Sequence, residues 1–377
     1  MIPQADPSLR MARHREAIML AIAQVVDGKS YILGRQVERF EHAFADSLGV
    51  QHCVGVNSGT DAIALALRSA GIGHGDEVVV PALTAAATAA AVLQIGATLR
   101  FADVDPVTRC LDLDQLHTVI GNRTAAIVAV HLHGHPIDMP RIMQLAAARG
   151  LIVIEDCAQA HGALIDGRAA GSFGHAAAFS FYPTKNLGGI GDGGAVATSD
   201  SALAAQARSL RNYGWQGRDR ISMTAGVNSR LDELQAAILT VLLPHLGTHN
   251  AERRDVAGRY RQHLAGADVG LPAEHEGAVV HQFVITVEHR DAVRRILRET
   301  HGISTDVHYD SPLHTQPAFS AFQSGPLPVS ERLARDMLSL PIQPEVASGA
   351  VDQIAAAVVA AVADAASTDS PRQLGSR

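Results

Sequence analysis

From about residue 50 the chain alternates short apolar runs with amphipathic segments. The runs that predict β-strands are DEVVVPA, ATLRFADVD, AAIVAVHLHG, LIVIEDCA and AAAFSF. Segments with helical periodicity lie between them, namely TDAIALALRSA, TAAATAAAVLQIG and MPRIMQLAAARG. Nearly continuous apolar strands separated by helices are typical of α/β proteins in which helices cover both faces of the sheet. The pattern therefore predicts an α/β fold with a mainly parallel central sheet.

The pattern differs on either side of this α/β segment. Residues 1–49 read as a polar helical arm followed by a helix with one apolar face, formed by Val37, Phe40, Phe44 and Leu48. Beyond the segment lie two long helical stretches, a single strand-like run VVHQFVITVE, a further helix, a proline-rich loop and two final helices. This order predicts a smaller α+β domain after the α/β segment.

The length of 377 residues is also more than one hydrophobic core usually serves. We therefore predict two domains. Residues 1–245 form the arm and the large α/β domain, and residues 246–377 form the small α+β domain. The final residues STDSPRQLGSR are polar, and we expect them to be frayed.

Composition narrows the class of protein. The formal net charge is −7 and no long Lys/Arg run occurs, which argues against a nucleic-acid or membrane-surface partner. No apolar stretch of about 20 residues predicts a transmembrane helix, and the first residues lack the pattern of a signal peptide. The three cysteines, Cys53, Cys110 and Cys157, form no CxxC pair, which fits a reducing compartment. We expect a cytoplasmic protein.

The segment VGVNSGTDAIALAL is the first that carries candidate chemistry. Ser58, Gly59 and Thr60 lie where a coil becomes an amphipathic helix. The free N–H groups and the dipole of a helix N-terminus can hold a phosphate. Ser and Thr are also ordinary N-cap residues, and for this segment alone the N-cap is the simpler explanation.

Two further segments place polar groups at the ends of predicted strands. In LIVIEDCAQAHG, Glu155 and Asp156 end a strand where parallel sheets bind ligands, although a carboxylate there can also cap the next turn. In SFYPTKNLGGIGDGG, Lys185 follows the strand AAAFSF and precedes a cluster of glycines. This lysine can clamp a phosphate or act as an amine nucleophile, or it can be a solvated loop residue. Its surroundings do not match a Walker A motif.

Together these three segments point to one cofactor. A phosphate cradle, an acid and a lysine all fall at predicted carboxyl ends of strands in one sheet. Pyridoxal 5′-phosphate requires this set, because it has a phosphate, a ring nitrogen that must stay protonated, and an aldehyde that forms a Schiff base with lysine. The combination is far more specific than any of its parts.

The chain resembles the DegT/DnrJ/EryC1/StrS family of sugar aminotransferases, which have the fold-type I architecture. The similarity spans roughly residues 28 to 344 and follows the family's order. It is carried by YILGRQVERFEHAFADSLGV, VGVNSGTDAIALALRSAGIGHGDEVVVPALT, EDCAQAHGA, SFYPTKNLGGIGDGGAV, RNYGW, NSRLDELQAAIL, HYDSPLHTQPAF and LSLPIQP.

The resemblance implies roles for individual residues. Lys185 would hold the cofactor as a Schiff base, Asp156 would pair with the ring nitrogen, and Gln159 would contact the ring hydroxyl. The phosphate would be bound at the helix start by Ser58, Gly59 and Thr60 together with the Ser180 hydroxyl. Asn228 would reach the phosphate of a partner subunit in a homodimer with shared active sites. The sugar-nucleotide side would include Tyr31, Arg230 and His308.

One position departs from the family pattern. Members of the family usually carry an aromatic residue that stacks on the pyridine ring, where this chain has Ala85 in PALTAAAT. The lost contact is worth on the order of 1 kcal/mol. We therefore expect weaker cofactor binding or a different cover for the ring.

A metal site is a further reading of the motif HLHGH. His131, His133 and His135 would share one face if they lay on a strand. No supporting carboxylate pattern accompanies them and the family has no such metal, so we predict that no metal binds and that these histidines are structural.

The resemblance implies a reaction as well. L-glutamate would donate its amino group, and a keto-sugar nucleotide would accept it in deoxyamino-sugar biosynthesis. The motifs most resemble members that aminate C3 of a dTDP-3-keto-6-deoxyhexose. C4 amination, a cyclitol or aminohydroxybenzoate product, and a non-catalytic regulatory homologue are the alternatives. Lys185 argues against the related dehydratases, in which a histidine replaces it.

Overall fold

The computed structural model describes residues 1–217, 219–322 and 325–369. The strands are β1 (His52–Val56), β2 (Glu77–Pro81), β3 (Thr98–Ala102), β4 (Thr124–Val130), β5 (Ile152–Asp156), β6 (Leu164–Ile165), β7 (Arg168–Ala169), β8 (Ala176–Ser180), β9 (Gly194–Thr198), β10 (Trp215–Gln216), β11 (Ile221–Ser222), β12 (Phe283–Thr286) and β13 (Met337–Leu340).

The α-helices alternate with these strands through the first part of the chain and dominate the last part. They are α1 (Pro7–Arg13), α2 (Arg15–Val26), α3 (Arg35–Leu48), α4 (Gly59–Ser69), α5 (Ala86–Gln94), α6 (Leu116–Val119), α7 (Met139–Arg149), α8 (Ser201–Leu210), α9 (Glu233–Leu242), α10 (Leu246–His263), α11 (Arg290–Glu299), α12 (Pro328–Asp336), α13 (Pro344–Ala347) and α14 (Val351–Asp369). None of the helices in the described ranges is both long and apolar enough to cross a membrane.

A seven-stranded sheet forms the centre, in the order β1-β9-β8-β5-β4-β2-β3. The neighbours from β8 to β3 pair in parallel, whereas β9 is antiparallel to both β1 and β8. The predicted α/β class and the mainly parallel sheet are therefore confirmed. All five predicted strand runs form strands, and the structure adds β1 and β9 at one edge. β9 follows a glycine-rich loop that obscures its pattern.

The predicted apolar face of the helix before the sheet is also confirmed. Val37, Phe40, Phe44 and Leu48 of α3 are buried. The Phe44 ring lies edge-on to Phe179 and Phe181, with centroids 4.9 and 5.4 Å away. Aromatic pairs in this geometry gain about 0.5–1.5 kcal/mol beyond the area they bury. This packing fixes α3 against β8, the strand that leads to Lys185.

A second hydrophobic core lies in the C-terminal part of the chain. It is built by α10, α11, α14 and the antiparallel pair of β12 and β13. The predicted strand VVHQFVITVE is thus confirmed in a shorter form, and β13 is its partner. Part of the proline-rich loop, including Leu313, Phe319 and Leu327, packs on the first core instead. The domain boundary after residue 245 stays a prediction. In the predicted frayed tail, residues 370–377 lie outside the described residues.

Candidate active site

A cavity of about 230 Å³ opens at the carboxyl edge of the central sheet. The cavity lies here because the parallel neighbours β5 and β8 end side by side, and because α4 begins next to them. Eight of the residues predicted to bind the cofactor line this cavity: Ser58, Gly59, Thr60, Ala85, Asp156, Gln159, Ser180 and Lys185. Residues distant in sequence are thus brought to one place.

The start of α4 forms one wall of the cavity. The Ser58 hydroxyl accepts a hydrogen bond from the Asp61 N–H (3.1 Å) as an N-cap. The first N–H groups of the helix, on Gly59 and Thr60, are not used by the helix itself. A Cβ atom on Gly59 would lie 2.7 Å from the Ser180 Cβ, so only glycine allows this close approach. The N-cap is therefore observed, and it leaves the first two N–H groups of the helix free, so phosphate binding by this segment stays a prediction.

Asp156 ends β5 and is 5% exposed. Its Oδ1 accepts a hydrogen bond from the Ala158 N–H (3.1 Å), and its Oδ2 accepts one from the Thr88 hydroxyl (2.9 Å). Burial raises the pKa of this carboxyl, although these hydrogen bonds and the Lys185 charge oppose the shift. A buried carboxylate in this state gains most from a cationic N–H partner.

Glu155, the preceding residue, has a different environment. Its Oε1 accepts hydrogen bonds from the Phe173 and Gly174 N–H groups (2.8 and 2.7 Å). Its Oε2 accepts one from the Gly171 N–H (2.8 Å) and lies 3.1 Å from His131 Nε2. Burial by itself would raise the pKa of Glu155, but the bonds from His131 and the backbone outweigh it and lower the pKa overall. Glu155 is therefore a structural anchor.

Lys185 lies in the loop after β8, where its N–H donates to the Tyr182 carbonyl (2.9 Å). Burial lowers the pKa of its amine to about 8, and the Asp156 charge opposes this shift. A lowered pKa increases the fraction of neutral amine at physiological pH, and the neutral amine is the nucleophile. The lysine therefore has the chemistry that a Schiff base requires.

Gln159 is oriented by two hydrogen bonds. Its Oε1 accepts from the His133 N–H (2.6 Å), and its Nε2 donates to the Tyr309 hydroxyl (3.0 Å). Tyr309 is partly buried, and the desolvation of its phenol raises the pKa to about 12. The predicted contact of Gln159 with the ring hydroxyl stays a prediction.

Sequence reasoning missed Thr88 and Tyr309. Thr88 lies in PALTAAAT, one helical turn after Ala85. Tyr309 lies in HYDSPLHTQPAF, directly after His308. Their position beside Asp156 and Gln159 could not be read from spacing, because it depends on how α5 and the 308–312 loop pack.

Four predicted residues do not line the cavity of their own chain. His308 has its Nδ1 2.8 Å from the Ser339 hydroxyl, and its carbonyl lies 3.0 Å from His133 Nε2. Arg230 donates to the Asn212 side chain (3.1 Å), and Asn228 forms a β-bridge with Asn212. Tyr31 is 58% exposed, and its hydroxyl donates to a carbonyl of α2. The roles predicted for these residues stay predictions.

The premise of the histidine motif is wrong. β4 ends at Val130, so His131, His133 and His135 do not alternate along a strand. A 3₁₀ turn follows the strand, and His133 adopts a left-handed conformation within it (φ 59°). His131 is bound to Glu155 and His133 to the His308 carbonyl.

The residues of the cavity fit pyridoxal phosphate. Free helix N–H groups beside Ser180 suit the phosphate, Asp156 suits the protonated ring nitrogen, and Lys185 suits the aldehyde. Small apolar side chains, among them Ala85 and Val130, form part of the remaining wall. The cavity volume of about 230 Å³ leaves room for the pyridine ring of the cofactor.

The sequence and the fold are similar to those of known aminotransferases. The model of the DegT/DnrJ/EryC1/StrS aminotransferase family matches residues 12–359. A UDP-N-acetyl-3-dehydro-α-D-glucosamine 3-aminotransferase from Acidithiobacillus ferrooxidans is 46% identical over 360 residues, covering 95% of this chain and 97% of the relative. A dTDP-3-amino-3,4,6-trideoxy-α-D-glucose transaminase from Streptomyces venezuelae is 48% identical over 351 residues, covering 91% of each. The solved structure of S. venezuelae DesV in complex with a ketimine intermediate has a TM-score of 0.91 and 43% identity, covering 96% and 97% of the two chains.

Proposed function

Because the chain belongs to the DegT/DnrJ/EryC1/StrS aminotransferase family, we propose that it transfers the amino group of L-glutamate to C3 of a nucleotide-linked keto sugar. The observation that carries the proposal is the meeting of Lys185, Asp156 and the α4 N-terminus in one cavity. The names of both relatives place the nitrogen at position 3 of the sugar. They differ in the nucleotide, and we propose a dTDP-3-keto-6-deoxyhexose as the substrate, with a UDP-linked sugar as its rival.

The bound cofactor supplies an aldehyde that exchanges amines and a ring that accepts an electron pair. Asp156 would keep the ring nitrogen protonated, because the negative charge of its carboxylate stabilises the cationic N–H. The N–H groups of Gly59 and Thr60 and the Ser180 hydroxyl hold the phosphate. Lys185 would carry a proton from Cα of glutamate to C4′ of the cofactor in one half-reaction, and from C4′ to C3 of the sugar in the other.

We further propose that the active enzyme is a cytoplasmic homodimer. Several large apolar side chains of the arm, of the loop after β8 and of residues 213–223 are exposed in the single chain: Tyr31, Ile32, Tyr182, Ile190, Tyr213, Ile221 and Met223. A contiguous exposed apolar surface marks a protein interface, and we propose that these side chains form one. A partner at this surface would explain why Asn228, Arg230 and Tyr31 lie outside the cavity of their own chain. The three buried free cysteines fit a reducing compartment.

The identity of the reacting amine can be tested cleanly, because the chain has two lysines, Lys29 and Lys185. We expect Lys185→Ala to abolish the absorbance of the lysine-bound cofactor and to lower turnover by about 10³-fold or more, since both nucleophile and proton carrier are lost. Lys29→Ala is the matched control and should leave both properties unchanged. Borohydride reduction followed by peptide mapping should find the cofactor on Lys185. A yellow, active Lys185→Ala protein would contradict the proposal.

The position of amination is tested by running the second half-reaction in reverse. The pyridoxal form is mixed with dTDP-linked 3-amino and 4-amino sugars and with a UDP-linked 3-amino sugar, and conversion of the cofactor to its amine form is followed by absorbance. We expect rapid conversion with the dTDP-linked 3-amino sugar. Faster conversion with the 4-amino sugar would overturn the C3 assignment, and faster conversion with the UDP sugar would overturn the nucleotide assignment.

A further inference from the structure

Arg10 of the N-terminal helix α1 lies beneath the loop that carries Lys185. Its side chain is buried, with 6% of the residue exposed. One terminal nitrogen donates to the carbonyls of Lys185 (2.8 Å) and Asn186 (3.1 Å). The other donates to the carbonyls of Pro183 (2.8 Å) and Gly188 (3.5 Å). A single guanidinium thus spans the loop on both sides of the lysine.

The charge of Arg10 is compensated by these carbonyl oxygens. Within the described part of the chain no carboxylate forms an ion pair with it, and Glu345 acts on it only at longer range. The contrast is Arg211, which is equally buried but pairs directly with Glu41. A buried cation must be stabilised by nearby acceptors, and hydrogen bonds from a charged donor are stronger than neutral ones. The loop carbonyls therefore hold Arg10, and Arg10 in turn holds the loop.

The packing around the guanidinium is tight. A Cβ atom on Gly188 would lie 2.6 Å from the Pro183 and Tyr182 carbonyl oxygens and 2.8 Å from Arg10 Nη2. The Asn186 side chain donates to Asn250 Oδ1 (2.9 Å) and to the Val279 carbonyl (3.1 Å). The residue after the lysine is thus fixed by its side chain, whereas the backbone of the lysine itself is fixed by Arg10.

We propose that Arg10 is a positioning residue for Lys185, so that the N-terminal helix is part of the catalytic apparatus. The inference rests on the proposed function, because it takes Lys185 as the reacting amine. A lysine side chain has four rotatable bonds, and its amine must leave and recapture one carbon atom in every cycle. A backbone held at Pro183, Lys185 and Gly188 limits the positions that the Lys185 amine can reach. This limit matters because misplacement of a reacting group by about 1 Å can lower the rate roughly 100-fold.

The test compares Arg10→Ala and Arg10→Lys with Arg13→Ala. Arg13 lies on the same helix but is more exposed and pairs with Glu252 and Glu345 instead of the loop. At saturating glutamate we expect Arg10→Ala to slow the first half-reaction by about 10- to 100-fold with KM little changed. Backbone amide exchange of the peptide covering residues 183–190 should accelerate by about tenfold or more in the full chain without cofactor. Arg13→Ala should alter neither.

Arg10→Lys separates charge from geometry. An ammonium keeps the charge but lacks the planar fork that reaches four carbonyls, so we expect an intermediate rate and intermediate exchange. If Arg10→Ala does not fold, Arg10→Lys carries the same comparison. Loss of thermal stability with an unchanged half-reaction rate and unchanged loop exchange would overturn the proposal. A wild-type chain that binds no cofactor would instead refute the proposed function, and the exchange measurement would still report on Arg10.

Discussion

Two consecutive carboxylates at the end of β5 behave in opposite ways. Glu155 and Asp156 point to opposite faces of the sheet, as successive strand residues must, and both are almost fully buried. Burial pushes the pKa of each upward. Yet the pKa of Glu155 ends below its ordinary value and that of Asp156 ends above it.

The difference comes from the number of donors. Glu155 is held by three backbone N–H groups and His131, whereas Asp156 is held by one backbone N–H and the Thr88 hydroxyl. Hydrogen bonds to the charged form are what offset the cost of burying it. Glu155 has enough of them and anchors the 171–174 loop. Asp156 has fewer donors and lines the cavity, so its carboxylate can still accept a cationic partner, as the proposed function requires. Burial alone therefore does not distinguish an anchor from a functional group.

The largest expected effect comes from Asp156→Asn. The amide keeps the shape of the side chain and can still meet the Ala158 N–H and the Thr88 hydroxyl, but it cannot stabilise a protonated ring nitrogen. We expect turnover to fall by about 10³-fold. The free energy of unfolding of the cofactor-free protein should not decrease, because a costly buried charge is removed. Single-turnover kinetics and urea unfolding measure the two effects. An active Asp156→Asn variant, or one with a lower free energy of unfolding, would contradict the assignment of Asp156 as the functional carboxylate and Glu155 as the structural one.

The reverse pattern is expected for Glu155→Gln. The amide nitrogen must face N–H donors whichever way it turns, because Phe173 and Gly174 donate to one oxygen and Gly171 to the other. We expect the free energy of unfolding to fall by about 3 kcal/mol at pH 7, with the turnover of folded enzyme changed far less.

The pH dependence of this loss has a definite sign. The folded pKa of Glu155 lies below its ordinary value of 4.5, so its contribution to stability is present above that value. It is lost as the pH falls through the folded pKa. The difference in the free energy of unfolding between the wild-type protein and Glu155→Gln, measured with urea, should therefore become smaller in acid. An equal difference in the free energy of unfolding at pH 7 and in acid would show that the 171–174 loop is not held by the charge of Glu155.

Sequence reasoning reached the parts of the site that are local. Asp156 ends a strand, Ser58 and Lys185 each follow one, and all three stand in short motifs, so their positions at one sheet edge follow from the common direction of these strands. The fold class followed from the same pattern. What distinguishes Glu155 from Asp156 is not local, because the donors to Glu155 lie 16 to 24 residues away in sequence.

The N-terminal arm shows most clearly that contacts between residues distant in sequence cannot be predicted from local patterns. Arg10 lies in a polar helical segment with other arginines nearby, and its partner Lys185 is 175 residues away. No periodicity marks one arginine of such a segment as buried. The left-handed turn at His133 lies beyond the end of β4, and the contact of its ring with the His308 carbonyl joins residues 175 positions apart in sequence.

The smallest expected effect is on the amine of Lys185, and it separates the two carboxylates most finely. With lysine labelled by ¹³C, the chain gives two ε-carbon signals, because it has only Lys29 and Lys185. In the cofactor-free protein we expect the Lys185 signal to titrate with a pKa of about 8, lowered by burial. Because the Asp156 charge opposes that shift, Asp156→Asn should lower the pKa of Lys185 further. Glu155→Gln should leave it unchanged, since the charge of Glu155 lies on the other face of the sheet and is bound by its own donors. A rise in the pKa of Lys185 in Asp156→Asn, or an equal shift in both variants, would mean that the lysine does not sense Asp156 as its neighbour in the cavity.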